Sequence, residues 1–209
     1  MVIAVCTGGE NPPSSLSLAW LNASQRIVAA DGGLAFLKHL KQKADVWIGD
    51  GDSLGGELVE WKPWFVEART LDRAKDETDT EAAVRVAIDE GAHEIWLLGG
   101  SGGRMDHWLA NLRLMASRPM LTRWLTRYEQ IQAFGPGETL VLSPGTVSIF
   151  PLGDGPWEIG SQGLRWPLEH VDFHRWYSLS NEVPSTGAFL TAEAGRFLLL
   201  RPLLQGETG

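Results

Sequence analysis

The stretch "WIGDGDSL", Trp47–Leu54, sets Asp50 and Asp52 two positions apart among glycines, directly behind an apolar run. Other acids occupy similar places. Asp31 follows the apolar run "RIVAA", and Asp76 and Asp79 fall in "KDETD", at i,i+3 spacing where a helix is expected to begin. That spacing would let both face one way. Like charges gathered in one cleft repel unless a cation lies between them. Hard oxygen ligands with no His or Cys nearby in sequence suit Mg²⁺, which binds through a few carboxylates, waters and substrate phosphates. A single D-x-D is as well explained by turn formation, and a pair such as Asp76 and Asp79 by a helix dipole. Acids at consecutive strand ends favour the metal.

A second group is "GGSGGRMDH", Gly99–His107, a glycine-rich loop between an expected strand and an expected helix. Backbone N–H groups in such a loop can cradle an anion. The loop is neither G-x-G-x-x-G nor a Walker A sequence, and tight turns need glycine too. Arg104 adds weight, because a guanidinium pairs bidentately with phosphate. Asp106 would orient Arg104 or cap the helix, and His107 reads as a packing or capping residue rather than a base. A third group, "GLRWPL" and "SLSNEV", supplies Trp166, Ser180 and Asn181. A ring that stacks and small polar groups that hydrogen-bond suit a flat polar heterocycle. Taken alone, they read equally as a core tryptophan and a turn.

The elements that must position these residues change character along the chain. Up to about residue 128, short apolar runs alternate with helical patterns, the signature of a parallel α/β sheet. "VIAV" runs into Gly8-Gly9, "RIVAA" into Asp31-Gly32-Gly33, "VWI" into Gly49-Asp50, and "IWLLGG" into the glycine-rich loop. In open α/β sheets ligands bind at the carboxyl ends of the strands, so acids and glycines collect along one edge. Helices are expected over Leu34–Leu40, from Thr78 with a Thr78/Glu81 capping box and Gly91 as C-cap, and over Met105–Ala116. Beyond Tyr128, "ETLVLS", "GTVSIFPL", "PWEIG", "RWYSLS" and "GRFLLLRP" are short β-type runs broken by Gly, Pro, Asn and Ser, which suggests a small antiparallel sandwich or barrel. The expected organisation is an α/β domain over residues 1–128 and a small antiparallel β-sandwich over 129–209.

Composition narrows the partners. The 209 residues carry a formal net charge of −8, which argues against a general nucleic-acid or anionic-membrane surface. No apolar run approaches the ~20 residues needed to span a bilayer. The single cysteine, Cys6, excludes an intrachain disulfide and reads as a small buried residue at a strand end. The N-terminal residues lack the basic and apolar regions of a signal peptide, so the expected setting is cytoplasmic.

Read together, "ADGG", "IGDGDSL", "KDETDTEAA", "GGSGGRMDHWLANL", "GLRWPL" and "SLSNE" resemble, in order, the motifs of the thiamine pyrophosphokinase family. The resemblance runs from about Ala30 to Glu182. It implies transfer of a diphosphoryl group from ATP to the hydroxyethyl group of thiamine, giving thiamine diphosphate and AMP, with Mg²⁺ required. It also implies an α/β nucleotide domain followed by a β-sandwich, and a homodimer with shared active sites and thiamine near the dimer interface. By the same resemblance Asp50, Asp52 and Asp79 would bind metal, and Asp31 and Asp76 would be catalytic acids able to accept the hydroxyl proton. Gly102, Gly103, Arg104 and Asp106 would form the nucleotide-side loop, with Arg104 stabilising charge on the phosphates. Trp166, Ser180 and Asn181 would receive thiamine. Gly51 stands where the family more usually has a larger apolar residue, so a looser turn is expected. The competing readings are a diphosphokinase acting on a hydroxymethylpterin, a non-catalytic nucleotide-binding module and a metal-dependent phosphohydrolase.

Overall fold

The structure, a computed structural model, describes residues 1–72 and 76–203. Two compact units divide the chain, Met1–Tyr128 and Glu129–Leu203. In the first, the elements follow as β1 (Val2–Cys6), α1 (Ser14–Ala23), β2 (Arg26–Ala30), α2 (Gly33–His39), β3 (Ala44–Gly49), α3 (Leu58–Trp61), β4 (Phe65–Thr70), α4 (Asp79–Asp89), β5 (Glu94–Leu98), α5 (Met105–Ser117) and β6 (Leu121–Leu125). The strands pair in parallel in the order β6-β5-β1-β2-β3-β4. The chain winds outward from β1 to β4, then returns to the other side of β1 for β5. The order therefore reverses between β1 and β5, the position at which doubly wound sheets open a crevice for ligands.

Sequence chemistry explains the elements. In β1 only Val2 is not buried, and Ile3, Val5 and Cys6 are inaccessible, as expected of a central parallel strand covered on both faces. Burial pushes the Cys6 thiol pKa far above its ordinary value, so the residue is an inert packing group. Helix α4 begins with the expected capping box: the Thr78 hydroxyl accepts from the Glu81 N–H at 3.1 Å, and the Glu81 carboxylate accepts from the Thr78 N–H at 2.9 Å. It ends in a Schellman motif. The Gly91 N–H donates to the Ile88 carbonyl at 2.9 Å and the Ala92 N–H to that of Ala87 at 3.0 Å, with Gly91 at φ +85°. Its buried Ala82, Ala83 and Ala87 allow close packing on the sheet. Helix α2 starts closer still. A Cβ on Gly33 would lie 2.1 Å from the Cys6 carbonyl oxygen, so only glycine lets this helix begin directly over the end of β1.

The second unit is β7 (Glu129–Phe134), β8 (Thr139–Leu142), β9 (Gly145–Leu152), β10 (Glu158–Gln162), β11 (Ser178–Val183), β12 (Ala188–Ala194) and β13 (Arg196–Pro202). Strands β11-β9-β13-β7 pair antiparallel, and β10-β12-β8 form a second antiparallel sheet. Phe134, Val147, Ile149, Phe197 and Leu199 from the first sheet share one core with Leu142, Ile159 and Leu190 from the second. The unit is therefore a β-sandwich with its core between the sheets. The Phe134 and Phe197 rings, neighbours on adjacent strands of the first sheet, lie 5.7 Å apart within it. The described residues include no helix long and apolar enough to cross a membrane.

Candidate active site

A cavity of about 660 Å³ opens in the first unit at the switch point between β1 and β5. Its walls come from three strand ends: Thr7, Gly8 and Gly9 after β1, Asp31 and Gly32 after β2, and Gly100, Gly102 and Gly103 after β5. Thr78, Asp79 and Thr80 at the start of α4 complete one side, and Arg104 at the cap of α5 with His107 and Asn111 of that helix another. The loops are pinned to each other. The Gly100 N–H donates to the Gly8 carbonyl at 2.8 Å, and the Glu10 N–H to that of Ser101 at 2.8 Å. The Thr7 and Thr80 hydroxyls share a buried hydrogen bond of 2.7 Å. Gly99 takes φ +90°, and a Cβ there would lie 2.4 Å from the Thr7 carbonyl oxygen, so β1 and the glycine-rich loop approach as closely as backbones allow.

Two buried indoles brace these loops from beneath. Trp47 Nε1 donates to the Asp31 carbonyl at 3.2 Å, and Trp124 Nε1 to the Gly99 carbonyl at 2.6 Å. The first holds a strained residue, since Asp31 adopts φ +39° without being glycine. Such backbone outliers persist only where their surroundings over-determine them.

The acids divide into two sets. Asp31, Asp50 and Asp52 offer carboxylate oxygens that all lie within 4.8 Å of one another. They meet because β2 and β3 pair in parallel and end level, Ala30 beside Ile48. Asp31 is buried, and its Oδ1 has no hydrogen-bond partner among the described residues; Asp50 is half-buried and Asp52 exposed. Burial holds the Asp31 carboxyl above its ordinary range. The charges of Asp79 and Asp52 push the same way, against hydrogen bonds from Ser53 and the Gly32 N–H. An orphaned oxygen in a three-carboxylate cluster fits a hard divalent cation with oxygen preference. Asp79 lines the cavity and stands outside this close trio. The helix expected to carry both Asp76 and Asp79 instead begins at Asp79 behind the Thr78 cap, so Asp76 lies before it and is exposed, apart from the cavity-lining residues. Gly51 takes φ +82°, and the Asp52 N–H closes the turn on Asp50 Oδ1 at 3.0 Å.

On the glycine-rich loop, the Arg104 guanidinium grips Asp106 through Nε and Nη2, so Asp106 orients the arginine from the first turn of α5. Each partner moves the other's pKa, Arg104 upward and Asp106 downward, through this side-chain hydrogen bond. His107 is exposed at the cavity wall. Thr7, Gly8 and Gly9 line the cavity without belonging to any of the sequence motifs, and Thr80 and Asn111 line it at motif positions with no expected role. The glycines after β1 were the available signal, because they repeat the strand-to-glycine pattern of the other loops.

In the β-sandwich, Trp166 is half exposed. Asn181 is buried, and its amide is fully engaged. Oδ1 accepts from the N–H groups of Trp166 at 3.2 Å and Glu182 at 2.9 Å, while Nδ2 donates to the Trp166 carbonyl at 2.7 Å and Ser178 Oγ at 3.1 Å. Asn181 thereby clamps the Trp166 backbone onto β11. Ser180 is exposed at φ +53°, in a bulge where the β11–β9 register shifts, and its N–H donates to Ser148 Oγ at 3.0 Å.

Comparison with known proteins agrees with this architecture. The family model described as thiamin pyrophosphokinase, catalytic domain, matches residues 17–123, about half of the chain. The model described as thiamin pyrophosphokinase, vitamin B1 binding domain, matches residues 141–195. The chain is similar to the thiamine pyrophosphokinase of Bacillus subtilis (strain 168), 29% identical over 136 residues, or 61% of this chain and 63% of that protein's length. Among solved structures it resembles thiamin pyrophosphokinase from Geobacillus thermodenitrificans, with TM-score 0.76 and 23% identity over 99% of this chain and 100% of that one. It also resembles the Bacillus subtilis enzyme, with TM-score 0.78 and 20% identity over 98% and 100%. The likeness extends to thiamin pyrophosphokinase from Candida albicans, with TM-score 0.73 and 16% identity over 97% and 89%. At these identities the solved structures establish a shared fold.

Proposed function

Because this chain belongs to the thiamin pyrophosphokinase family, we propose that it transfers the diphosphoryl group of ATP to thiamine, giving thiamine diphosphate and AMP. The observation that carries the reading is the Asp31, Asp50 and Asp52 trio beside a glycine-walled cavity large enough for a nucleotide. In the reaction the hydroxyethyl oxygen of thiamine bonds to the β-phosphorus of ATP. The bond from that phosphorus to the α,β-bridging oxygen breaks, and AMP leaves with the oxygen. The hydroxyl proton passes to a carboxylate on the cavity wall outside the trio, for which Asp79 is better situated than Asp76.

Asp31, Asp50 and Asp52 would hold Mg²⁺, with Asp79 adding charge to the same cavity. Bound there, the ion supplies positive charge against the triphosphate and relieves the repulsion among the acids. The chain's remaining work is positioning. The N–H groups around Gly102 and Gly103 would cradle phosphate oxygens, and Arg104 would turn from Asp106 toward phosphate as the nucleotide enters. Trp166 would offer its face to thiamine, near Ser180, with Asn181 holding it in place. Following the family resemblance, the working unit is a homodimer with shared sites, and the lone buried thiol suits a cytoplasmic setting.

The test is incubation with ATP, Mg²⁺ and thiamine. The expected result is AMP and thiamine diphosphate in equal amounts, both dependent on added thiamine. AMP released without thiamine would indicate a phosphohydrolase, and a preference for a hydroxymethylpterin acceptor would redirect the reading to that diphosphokinase.

A further inference from the structure

Two charged residues, Arg165 and Glu182, pair beside Trp166. The Arg165 guanidinium lies over the indole, 4.8 Å from the ring centroid. Its Nη1 donates to Glu182 Oε2 at 2.6 Å, and the Arg165 N–H donates to the Glu182 carbonyl at 3.0 Å. One face of the ring therefore carries a cation, and that cation carries its own counter-charge. Asn181 fixes the backbone of both sides, since it accepts from Trp166 and Glu182 together.

This arrangement has a consequence for any ligand bearing a fixed positive charge. The face of an indole attracts cations through its quadrupole. A second cation on the opposite face competes for that attraction and repels the first across the ring, unless its charge is cancelled locally. Resting on the reading of Trp166 as the ring that receives thiamine, whose thiazolium is a permanent cation, we infer that Arg165 and Glu182 form a charge-matched positioning pair that sets the affinity of Trp166 for a cationic acceptor. Arg165 packs the ring into one orientation and closes one face. Glu182 cancels the charge that Arg165 would otherwise present to a cation on the other.

The inference separates from an ordinary surface ion pair, which contributes little and is indifferent to the acceptor. Glu182→Gln leaves the guanidinium uncompensated. It should raise the KM for thiamine about three- to fivefold at low ionic strength, the scale of one cation–π contact at an exposed site, with kcat and the KM for ATP unchanged. The increase should shrink in high salt, where exposed charges are screened. Glu182→Asp, which keeps the charge, should retain the wild-type KM. Arg165→Gln added to Glu182→Gln should bring the KM back toward wild type, because the uncompensated cation is gone. An unchanged thiamine KM in Glu182→Gln, or a double variant as impaired as the single one, overturns the inference. Trp166→Ala in the same assay tells the two failures apart. If it raises the thiamine KM while Glu182→Gln does not, only the charge-matched pair is lost. If it leaves the KM unchanged, the platform reading fails and takes the pair with it.

Discussion

At the scale of the residue, Asp31 carries the conflict that the site must resolve. It is buried, left-handed in backbone and near two other carboxylates, with one oxygen unpartnered among the described residues. Its raised pKa means that the folded chain binds the proton more tightly than the unfolded chain does. The resulting stability penalty is absent at pH values below the unfolded carboxyl pKa. It grows as pH rises through that value and is complete above the folded one. Asp31→Asn should therefore melt higher than wild type at pH 7 without metal, with the gain vanishing in acid, and should lose the Mg²⁺–ATP-dependent rise in Tm shown by wild type. A variant that melts lower at pH 7 would contradict this. Arg104 makes a second test. Its fork already matches a carboxylate, so Arg104→Lys should keep the fold and lose at least about tenfold in kcat/KM, because an ammonium cannot reproduce the bidentate geometry. Steady-state kinetics with full activity in the lysine variant would reduce Arg104 to a point charge.

At the scale of the element, the tightest constraint is the start of α2. Gly33→Ala places a methyl against the Cys6 carbonyl, a backbone atom in the central strand that has no room to retreat. The expected loss is ~2–3 kcal/mol in urea unfolding. A loss below ~0.5 kcal/mol would mean that the helix shifts freely. Much of this level was legible in sequence. The apolar runs ending in Gly or Asp are β1, β2, β3 and β5, and the Thr78/Glu81 box caps α4 as its spacing implied. What was not read had a weaker signal. Strand β4, "FVEART", lies at the edge of the unit's sheet and is largely exposed, so it carries no apolar run. Strands β6 and β7 fall in "LTRWLTRYEQIQAF", where polar residues interrupt the apolar ones and no motif stands out. The acid trio was half legible. Asp50 and Asp52 sit together in the chain, but Asp31 joins them only through the register of β2 on β3. The hydrogen bond between Thr7 and Thr80 links positions 73 apart, and no local pattern announces it.

At the scale of the whole molecule, the two family matches lie on different units of one chain, the catalytic model within 17–123 and the vitamin B1 binding model within 141–195. If each site of the proposed homodimer draws on both subunits, Asp52→Asn, inactive alone, and Trp166→Ala, nearly inactive at thiamine concentrations well below its raised KM, should complement each other when mixed at such a concentration. Subunit exchange would then form heterodimers with one of the two sites built from intact contributions. Activity recovering toward a quarter of wild type is the outcome for random exchange between equal amounts. No recovery, with exchange shown independently by light scattering on a size-tagged subunit, would place the whole site in a single chain.

The winding of the parallel sheet also bears on how the protein is made. Strand β1 is central and buried, and its two neighbours come from very different stretches of the chain: β2 at Arg26–Ala30 and β5 at Glu94–Leu98. On the ribosome one edge of β1 can be covered almost at once. The other waits for about 65 further residues, several seconds at roughly 5–20 residues per second. Through that interval the nascent chain presents "VIAVC" with an open hydrogen-bonding edge, the feature that templates pairing with a foreign strand. Slowing translation between β4 and β5 should therefore lower the yield of soluble protein, while the same slowing after β6 should not.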